Sequence, residues 1–559
     1  MRLNSGAPGG ERPSVAATPA AAAATASAAA AAPAARRAAT AGRAPTAGGA
    51  AAARGAGSAA TAAGAAVPRA ARPPGALGTP PPALPRSGES DDGQHHDQDE
   101  SDDDPAAGFH ARIPLRHTFR LHGVAVPPRS PRRLLPAGRQ RKTELRKTRA
   151  CRRMTAMTAG HAAAPGGRPL LNRRLAEFGT TIFAEMSALA TRTGALNLGQ
   201  GFPDTDGPEA VREAAVRAVR DGRGNQYPPG PGIPELRQAV AGHQARFHGL
   251  RYDPDTEVLI TAGATEAIAA SLLALVEPGD EVIALEPYYD SYAASIAMAG
   301  GRRVPVTLRP HPGKAAAGEG SYRLDLDELR DAVTDRTRLL LLNTPHNPTG
   351  TVLTHEELSA VAALCVEHDL LAVTDEVYEH LVFDGTHHPL AGFPGMRERT
   401  VTISSSGKTF SLTGWKVGWV TGTPELVTAV RSAKQYLTFV SAGPFQYAVA
   451  EALALPDSYY TELREGMRAR RDLLAAGLRD AGFGVFTPAG TYFVTADIRP
   501  LGWSDGVAFC LSLPERCGVV AVPTQVFYDH AEAGAPYVRF AFCKREDVLS
   551  EAVSRLRRL

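Results

Sequence analysis

The sequence predicts an α/β protein, with a large domain built on a mainly parallel sheet flanked by helices and a smaller α+β domain after it. Three observations carry this. From about Leu170, short apolar runs alternate with segments of helical period, the pattern of strands joined by crossover helices. The unusual polar residues fall at the carboxyl ends of those runs, where doubly wound sheets bind ligands. After Pro424 longer helical segments take over, ending in a few strand-like pieces.

Ahead of this pattern the chain is different material. From Met1 to about Pro85 it is mostly Ala, Gly, Pro, Ser, Thr and Arg. Such a segment buries too little to offset an ordering cost of roughly 1 to 2 kcal/mol per residue, and is expected to be disordered. An acidic run from Glu89 to Asp104 and an arginine-rich stretch from Arg112 to Arg153 follow. Four readings compete: a flexible tail, a nucleic-acid-binding arm, a transit peptide, or an over-called translation start. The last is favoured, because Ala, Gly, Pro and Arg are what GC-rich DNA yields when read through, and Met154 and Met157 stand just before the globular pattern. The acidic run speaks against a transit peptide. The lack of aromatic residues between Arg129 and Arg153 speaks against a nucleic-acid arm.

The net charge of +3 is small for 559 residues and argues for no electrostatic partner, neither nucleic acid nor membrane. No apolar run reaches the roughly 18 residues of a membrane span. Cys151, Cys365, Cys510, Cys517 and Cys543 are odd in number and form no CxxC pair. They suggest neither a disulfide framework nor a metal site, so a soluble protein of the reducing cytoplasm is expected.

In chain order, Pro208 to Arg220 is a helix with proline at its start and Gly222 just past its end. Strands are expected at Val258 to Thr261, Glu281 to Leu285, Leu339 to Asn343, Leu370 to Thr374, Val401 to Ser404 and Gly418 to Thr421. Helices run from Thr265 to about Val276 and from Glu356 to His368. Beyond Pro424 come a helix from Tyr460 to Asp480 and strand-like pieces at Tyr492 to Ala496, Gly518 to Val522 and Tyr537 to Phe542.

Lys408 stands among small hydroxyl residues and glycines in the stretch from Ser404 to Trp419. An amine there can attack an aldehyde only if partial desolvation leaves some of it uncharged, and Ser405, Ser411 and Lys416 could hold an anionic group nearby. Asn343 to Gly350 and Asp375-Glu-Val-Tyr378 follow two other strands, while Gly263-Ala-Thr265 lies between a strand and a helix, where free N–H groups favour phosphate. Each has a plain alternative: a surface lysine, a turn at Asn347 to Gly350, an N-cap at Asp375, a tight turn at Gly263. Together they place a phosphate cradle, a carboxylate, a phenol, an amide and a lysine on one sheet edge, which is what pyridoxal 5'-phosphate requires.

With these motifs the chain from about Leu170 onward resembles the fold-type-I class I/II aminotransferases. The likeness is greatest to the kynurenine/glutamine transaminase-like group and the actinobacterial enzymes assigned as N-succinyldiaminopimelate aminotransferases. The resemblance implies a PLP-dependent transaminase with Lys408 as Schiff-base lysine and proton shuttle, Asp375 at the pyridine nitrogen, and Tyr378 and Asn347 at the ring hydroxylate. It implies phosphate binding by Gly263, Ala264, Thr265, Ser405 and Lys416. Many relatives carry arginine at the last position; the kynurenine-type group has lysine, a point charge without the bidentate fork. Tyr289 would stack on the cofactor ring. Arg539, which strand alternation puts on the face opposite Val538 and Phe540, would pair with the substrate α-carboxylate, helped by Gly201 and Asn347. Tyr227 would reach the phosphate of a neighbouring subunit, implying a homodimer.

The resemblance also implies a division: an extension at 1–156, an N-terminal arm and part of the small domain at 157–205, a large cofactor-binding domain at 206–440 and a small domain at 441–559. No second arginine occurs in Gln435 to Phe445, which disfavours aspartate and suits an aromatic, Met-like or Gln-like side chain, with Tyr436, Phe439, Tyr292 and Phe183 as candidate walls. For N-succinyl-diaminopimelate the sequence identifies no polar contacts. A cysteine-S-conjugate β-lyase would use the same site. A transcription regulator would need a helix-turn-helix module, and Met1 to Arg153 lacks the periodicity for one.

Overall fold

The computed structural model describes residues 170–310 and 322–559. The extension at 1–156 lies outside the described residues. The large sheet has seven strands, in the order Val258–Thr261, Gly418–Thr421, Thr400–Ser405, Leu371–Asp375, Thr337–Asn343, Glu281–Glu286 and Arg302–Thr307. Gly418–Thr421 runs antiparallel to both its neighbours, and every other pairing is parallel.

Helices cover both faces, so the inner strands are apolar on both sides. Leu339 and Leu341 pack with Val282, Val373, Ile268 and Leu272; Leu340 and Leu342, pointing the other way, pack with Ile283, Leu358 and Val361. All six expected strands of this sheet fall where the sequence puts them, within two residues. The seventh, Arg302–Thr307, went unforeseen. It opens on two arginines, contains Pro305 and is only partly buried, which suits an edge strand and hides it from a search for apolar runs.

Local signals set the helix ends. His355–Glu367 starts from a capping box between Thr354 and Glu357. Gly263–Leu275 starts two residues after its strand, and its N-cap, Ala262, offers no side-chain cap, so the first N–H groups point free toward the sheet edge.

The smaller sheet has four antiparallel strands, in the order Gly484–Phe486, Phe493–Asp497, Tyr537–Ala541 and Val522–Pro523. The single strand expected from Gly518 to Val522 is split in two. Val519–Val520 pairs in parallel with Leu196–Asn197, and Val522–Pro523 joins the four-stranded sheet. The arm around residue 197 is thereby tied to the small sheet. Packing changes over inside the long helix Asp457–Asp480. Its Tyr460, with Ala448 and Val449 before it, packs on Val258 and Ile260; its Met467, Leu474 and Leu478 pack on Val494, Val538 and Phe540.

Candidate active site

The strands Thr337–Asn343, Leu371–Asp375 and Thr400–Ser405 end side by side, with Asn343 paired to Asp375 and Asp375 to Ile403. Residues at and just beyond these ends therefore emerge on one rim. Lys408 follows on the short helix Ser406–Thr409. The chain then returns through Gly418, where an added Cβ would lie 2.7 Å from the Gly263 carbonyl carbon; only glycine lets this loop lie against the helix start. Lys416, in a left-handed conformation, brings its Nζ to 3.6 Å from the position a Cβ on Gly263 would take. An ammonium thus sits at the uncapped N-terminus of Gly263–Leu275, a setting for a doubly charged anion.

These groups surround one cavity of about 460 Å³. Gly263, Ala264, Thr265, Ser405 and Lys416 line its phosphate-like end; Asp375, Tyr378, Tyr289 and Lys408 line its middle; Gly201, Asn347 and Arg539 line the side toward the small sheet. Tyr227 does not line it: this side chain is 82% exposed and meets Phe439 edge-on. Of the four candidate walls, Phe183 and Tyr292 line the cavity, whereas Tyr436 (85% exposed) and Phe439 (49% exposed) lie on the surface away from it. Ser411 also stays out of the lining.

Lys408 is half-buried on the cavity wall, and desolvation lowers its pKa to about 8. Its Nζ donates to the Tyr492 hydroxyl at 2.8 Å. Asp375 accepts from the Tyr292 hydroxyl at 2.6 Å; burial raises its carboxyl while this bond and the nearby Lys408 oppose the rise. Tyr378 is buried and its phenol is raised by desolvation, so it is a donor at neutral pH. Asn343 sets the loop that follows: its side chain donates to the Asp375 carbonyl at 2.7 Å and accepts from the Asn347 N–H at 2.7 Å. Arg539 is buried beneath the Phe493 ring, 4.0 Å from its centroid. It donates to Asn347 Oδ1 at 2.9 Å and to the Gly199 carbonyl at 3.0 Å, leaving a buried Nε without a partner.

Sequence reasoning missed what four residues contribute. Tyr292 lines the cavity as expected and in addition holds Asp375. Tyr492 and Phe493 read only as the opening of a strand-like piece. Asn343 is the last residue of an apolar run, and its position before Asn347 was the available signal.

Behind the rim, Glu376 and Glu379 serve a second polar cluster. Glu379 accepts from His248 and Ser404, each at 2.7 Å, and Glu376 pairs with His387 at 2.8 Å. His243 and His380 face each other through Nε2 at 2.7 Å. Among the described residues His243, Glu379 and His380 are a group of metal-ligating type. The Nε2 contact is a hydrogen bond, shorter than the separation of about 3.3 Å between two ligands of one tetrahedral zinc.

Residues 193–556 match the family described as aminotransferase class I and II. The chain is 56% identical over 392 residues to a probable N-succinyldiaminopimelate aminotransferase, DapC, of Mycobacterium tuberculosis, covering 68% of this chain and 97% of that protein. It is 39% identical over 391 residues to the methionine aminotransferase of Escherichia coli, covering 69% of this chain and 97% of the relative. The solved structure of N-succinyldiaminopimelate aminotransferase from Mycobacterium tuberculosis superposes with a TM-score of 0.67 at 56% identity, over 69% of this chain and 99% of that one.

Proposed function

The chain belongs to the class I and II aminotransferases, and from that premise we propose that its cavity binds pyridoxal 5'-phosphate and that Lys408, Asp375 and Tyr378 carry the transfer of an amino group from an L-amino acid to a 2-oxo acid. The carrying observation is the desolvated Lys408 amine in one cavity with the Asp375 carboxylate and the uncapped helix start beside Lys416. This donor set fits the cofactor: Gly263, Ala264, Thr265, Ser405 and Lys416 toward its phosphate, Asp375 toward its pyridine nitrogen, Tyr378 and Asn347 toward its ring oxygen, and Tyr289 against its ring. When bound, pyridoxal phosphate supplies an electrophilic carbon and an electron sink.

The chain's own residues do the rest. Lys408 Nζ, with a pKa of about 8, is partly neutral near pH 7.5 and takes the proton from the substrate α-carbon, then returns it at the acceptor carbon. Asp375, braced by Tyr292, keeps a negative charge facing the pyridine nitrogen. Arg539 turns its remaining guanidinium N–H groups to the α-carboxylate, with the Gly201 N–H alongside.

For the donor, N-succinyl-diaminopimelate comes first, supported by the 56% identical relative of that name. A specific observation favours a second reading. The cations lining the cavity are Lys408, Lys416 and Arg539, each already assigned, and Phe183 and Phe493 offer apolar surface, which suits methionine-like or aromatic donors. The relatives are named as transaminases, so the β-lyase and regulator readings gain no support. A panel of donors, including N-succinyl-diaminopimelate, methionine, glutamine and kynurenine, with 2-oxoglutarate and pyruvate as acceptors, tests this. Turnover of none of them, with no absorbance change on adding amino acid, sinks the assignment.

The active unit is a homodimer on this reading. Tyr227, Tyr436 and Phe439 form exposed aromatic surface of the kind a second copy covers, and sedimentation at micromolar concentration checks it. The small domain begins within Asp457–Asp480 rather than at residue 441, as the change of packing partners along that helix supports. No described helix is long and apolar enough to cross a membrane, and the cytoplasm remains the expected compartment.

A further inference from the structure

Tyr492 sits immediately before the strand Phe493–Asp497 and is fully buried. Its backbone is held, with the Tyr492 carbonyl accepting from the Phe542 N–H at 2.9 Å. Its ring packs edge-on against Tyr378 at 5.2 Å and Phe493 at 4.8 Å. A phenylalanine would satisfy all of that packing, as Phe493 next door shows. What phenylalanine could not supply is the hydroxyl, and a buried hydroxyl costs free energy unless it is bonded.

The partners of this hydroxyl belong to the cavity, where the Tyr378 hydroxyl is also its neighbour. The Tyr492 hydroxyl lies 2.6 Å from the Gly201 carbonyl and 2.8 Å from Lys408 Nζ. A carbonyl can only accept, so the single phenolic proton is committed to Gly201, and the oxygen presents a lone pair to the lysine. Gly201 comes this close because it has no side chain: a Cβ there would fall 2.3 Å from the Phe493 ring. Burial also keeps the phenol protonated at any physiological pH, so the direction of the chain Lys408 to Tyr492 to Gly201 is fixed. The acceptor favours a protonated or hydrogen-bonded amine, opposing the desolvation that lowers the Lys408 pKa.

We propose that Tyr492 is a positioning residue that holds the free Lys408 amine by accepting its hydrogen bond, and so sets where that amine waits and how readily it carries a proton. This inference rests on the role given to Lys408 above. The relevant variant is Tyr492→Phe, which removes one oxygen and keeps the ring. The first readout is the pH midpoint of Lys408 acylation by acetic anhydride in the full chain stripped of cofactor, followed at the Lys408 peptide by mass spectrometry. The wild-type midpoint is expected at about 8, and in Tyr492→Phe it falls by about half a unit or more, because the charged form loses its acceptor. The second readout is steady-state turnover of the cofactor-loaded enzyme, with kcat about tenfold lower and the donor KM within about threefold.

An unchanged midpoint with kcat within about twofold overturns the proposal, and so does a raised KM at constant kcat, which would mean that the hydroxyl serves the substrate side through Gly201. If Tyr492→Phe fails to fold, Tyr492→His, which keeps an acceptor on a ring, takes its place. It is expected to hold the midpoint near the wild-type value, and a midpoint lowered as far as predicted for Tyr492→Phe overturns the proposal. Lys408→Ala separates the two levels of argument. Normal turnover in that variant removes the role of Lys408 itself, whereas loss of turnover alongside a silent Tyr492→Phe removes only the inference.

Discussion

The Tyr292 hydroxyl donates to Asp375 Oδ2 at 2.6 Å, both groups buried against the sheet. A carboxylate in that position is pushed toward its neutral form by burial, and the phenol opposes the push. Tyr292→Phe is expected to lower kcat about tenfold and to weaken cofactor retention, since a hydrogen bond to a charged group contributes about 1.5 to 3 kcal/mol. Cofactor titration and steady-state kinetics check this; unaltered values would show that Asp375 holds its charge without Tyr292.

Replacing Lys408 by alanine is expected to leave a folded protein that binds pyridoxal phosphate without covalent attachment and loses turnover by several orders of magnitude. Borohydride reduction followed by mass spectrometry reads the attachment. Near-normal turnover would place the reactive amine elsewhere.

Arg539→Lys keeps a charge but loses the fork, leaving Asn347 Oδ1 and the Gly199 carbonyl without their present donors. The donor KM is expected to rise about 10- to 100-fold for every amino acid, because the α-carboxylate is common to all of them. An effect confined to one donor would assign Arg539 to the substrate side chain instead.

Acid should destabilise the fold before it touches the carboxylates. Burial holds His243 at about 4 and His380 at about 3, against an ordinary value of 6.5. Below 6.5 the unfolded chain binds these protons and the folded chain does not, so stability falls with pH from about 6.5 toward 4. His248 has the opposite sign: paired with Glu379, its pKa is raised, so its contribution is present below 6.5 and lost as pH rises through its folded value. Glu379 itself is held low and its contribution is lost only below the ordinary carboxylate range. Thermal melts from pH 7 to pH 5 are expected to fall, and the double variant His243→Gln, His380→Gln to flatten that slope. A parallel slope in the variant would reject the account.

What the sequence showed and what it hid divide along a physical line. Leu339 to Asn343 and Gly418 to Thr421 were legible because both faces of those strands are apolar, which leaves an unbroken run. Arg302–Thr307 was hidden because an edge strand needs no such run. Lys408 and Asp375 were legible only in company, as polar residues that follow neighbouring strand ends, and Arg539 only through the family resemblance. Tyr292 and Tyr492 hid their roles, because a tyrosine is at home in a core and its hydroxyl acquires meaning only from the partner that folding delivers. Tyr436 and Phe439 misled for the reverse reason: an aromatic residue near the lysine segment in sequence faces away from it in space.

Arg539 donates to Gly199, a partner 340 positions earlier, and the arm around Leu196 pairs with Val519. The seven strands of the large sheet, by contrast, all come from between Val258 and Thr421. During synthesis the large sheet therefore has its full complement of strands well before the small one does, and the early arm must wait, its strand edge unsatisfied, for partners made more than 300 residues later. Acquisition of the amino-acid site is thus the late event of folding, and a refolding experiment that follows both sheet formation and substrate-induced spectral change should see the second lag the first.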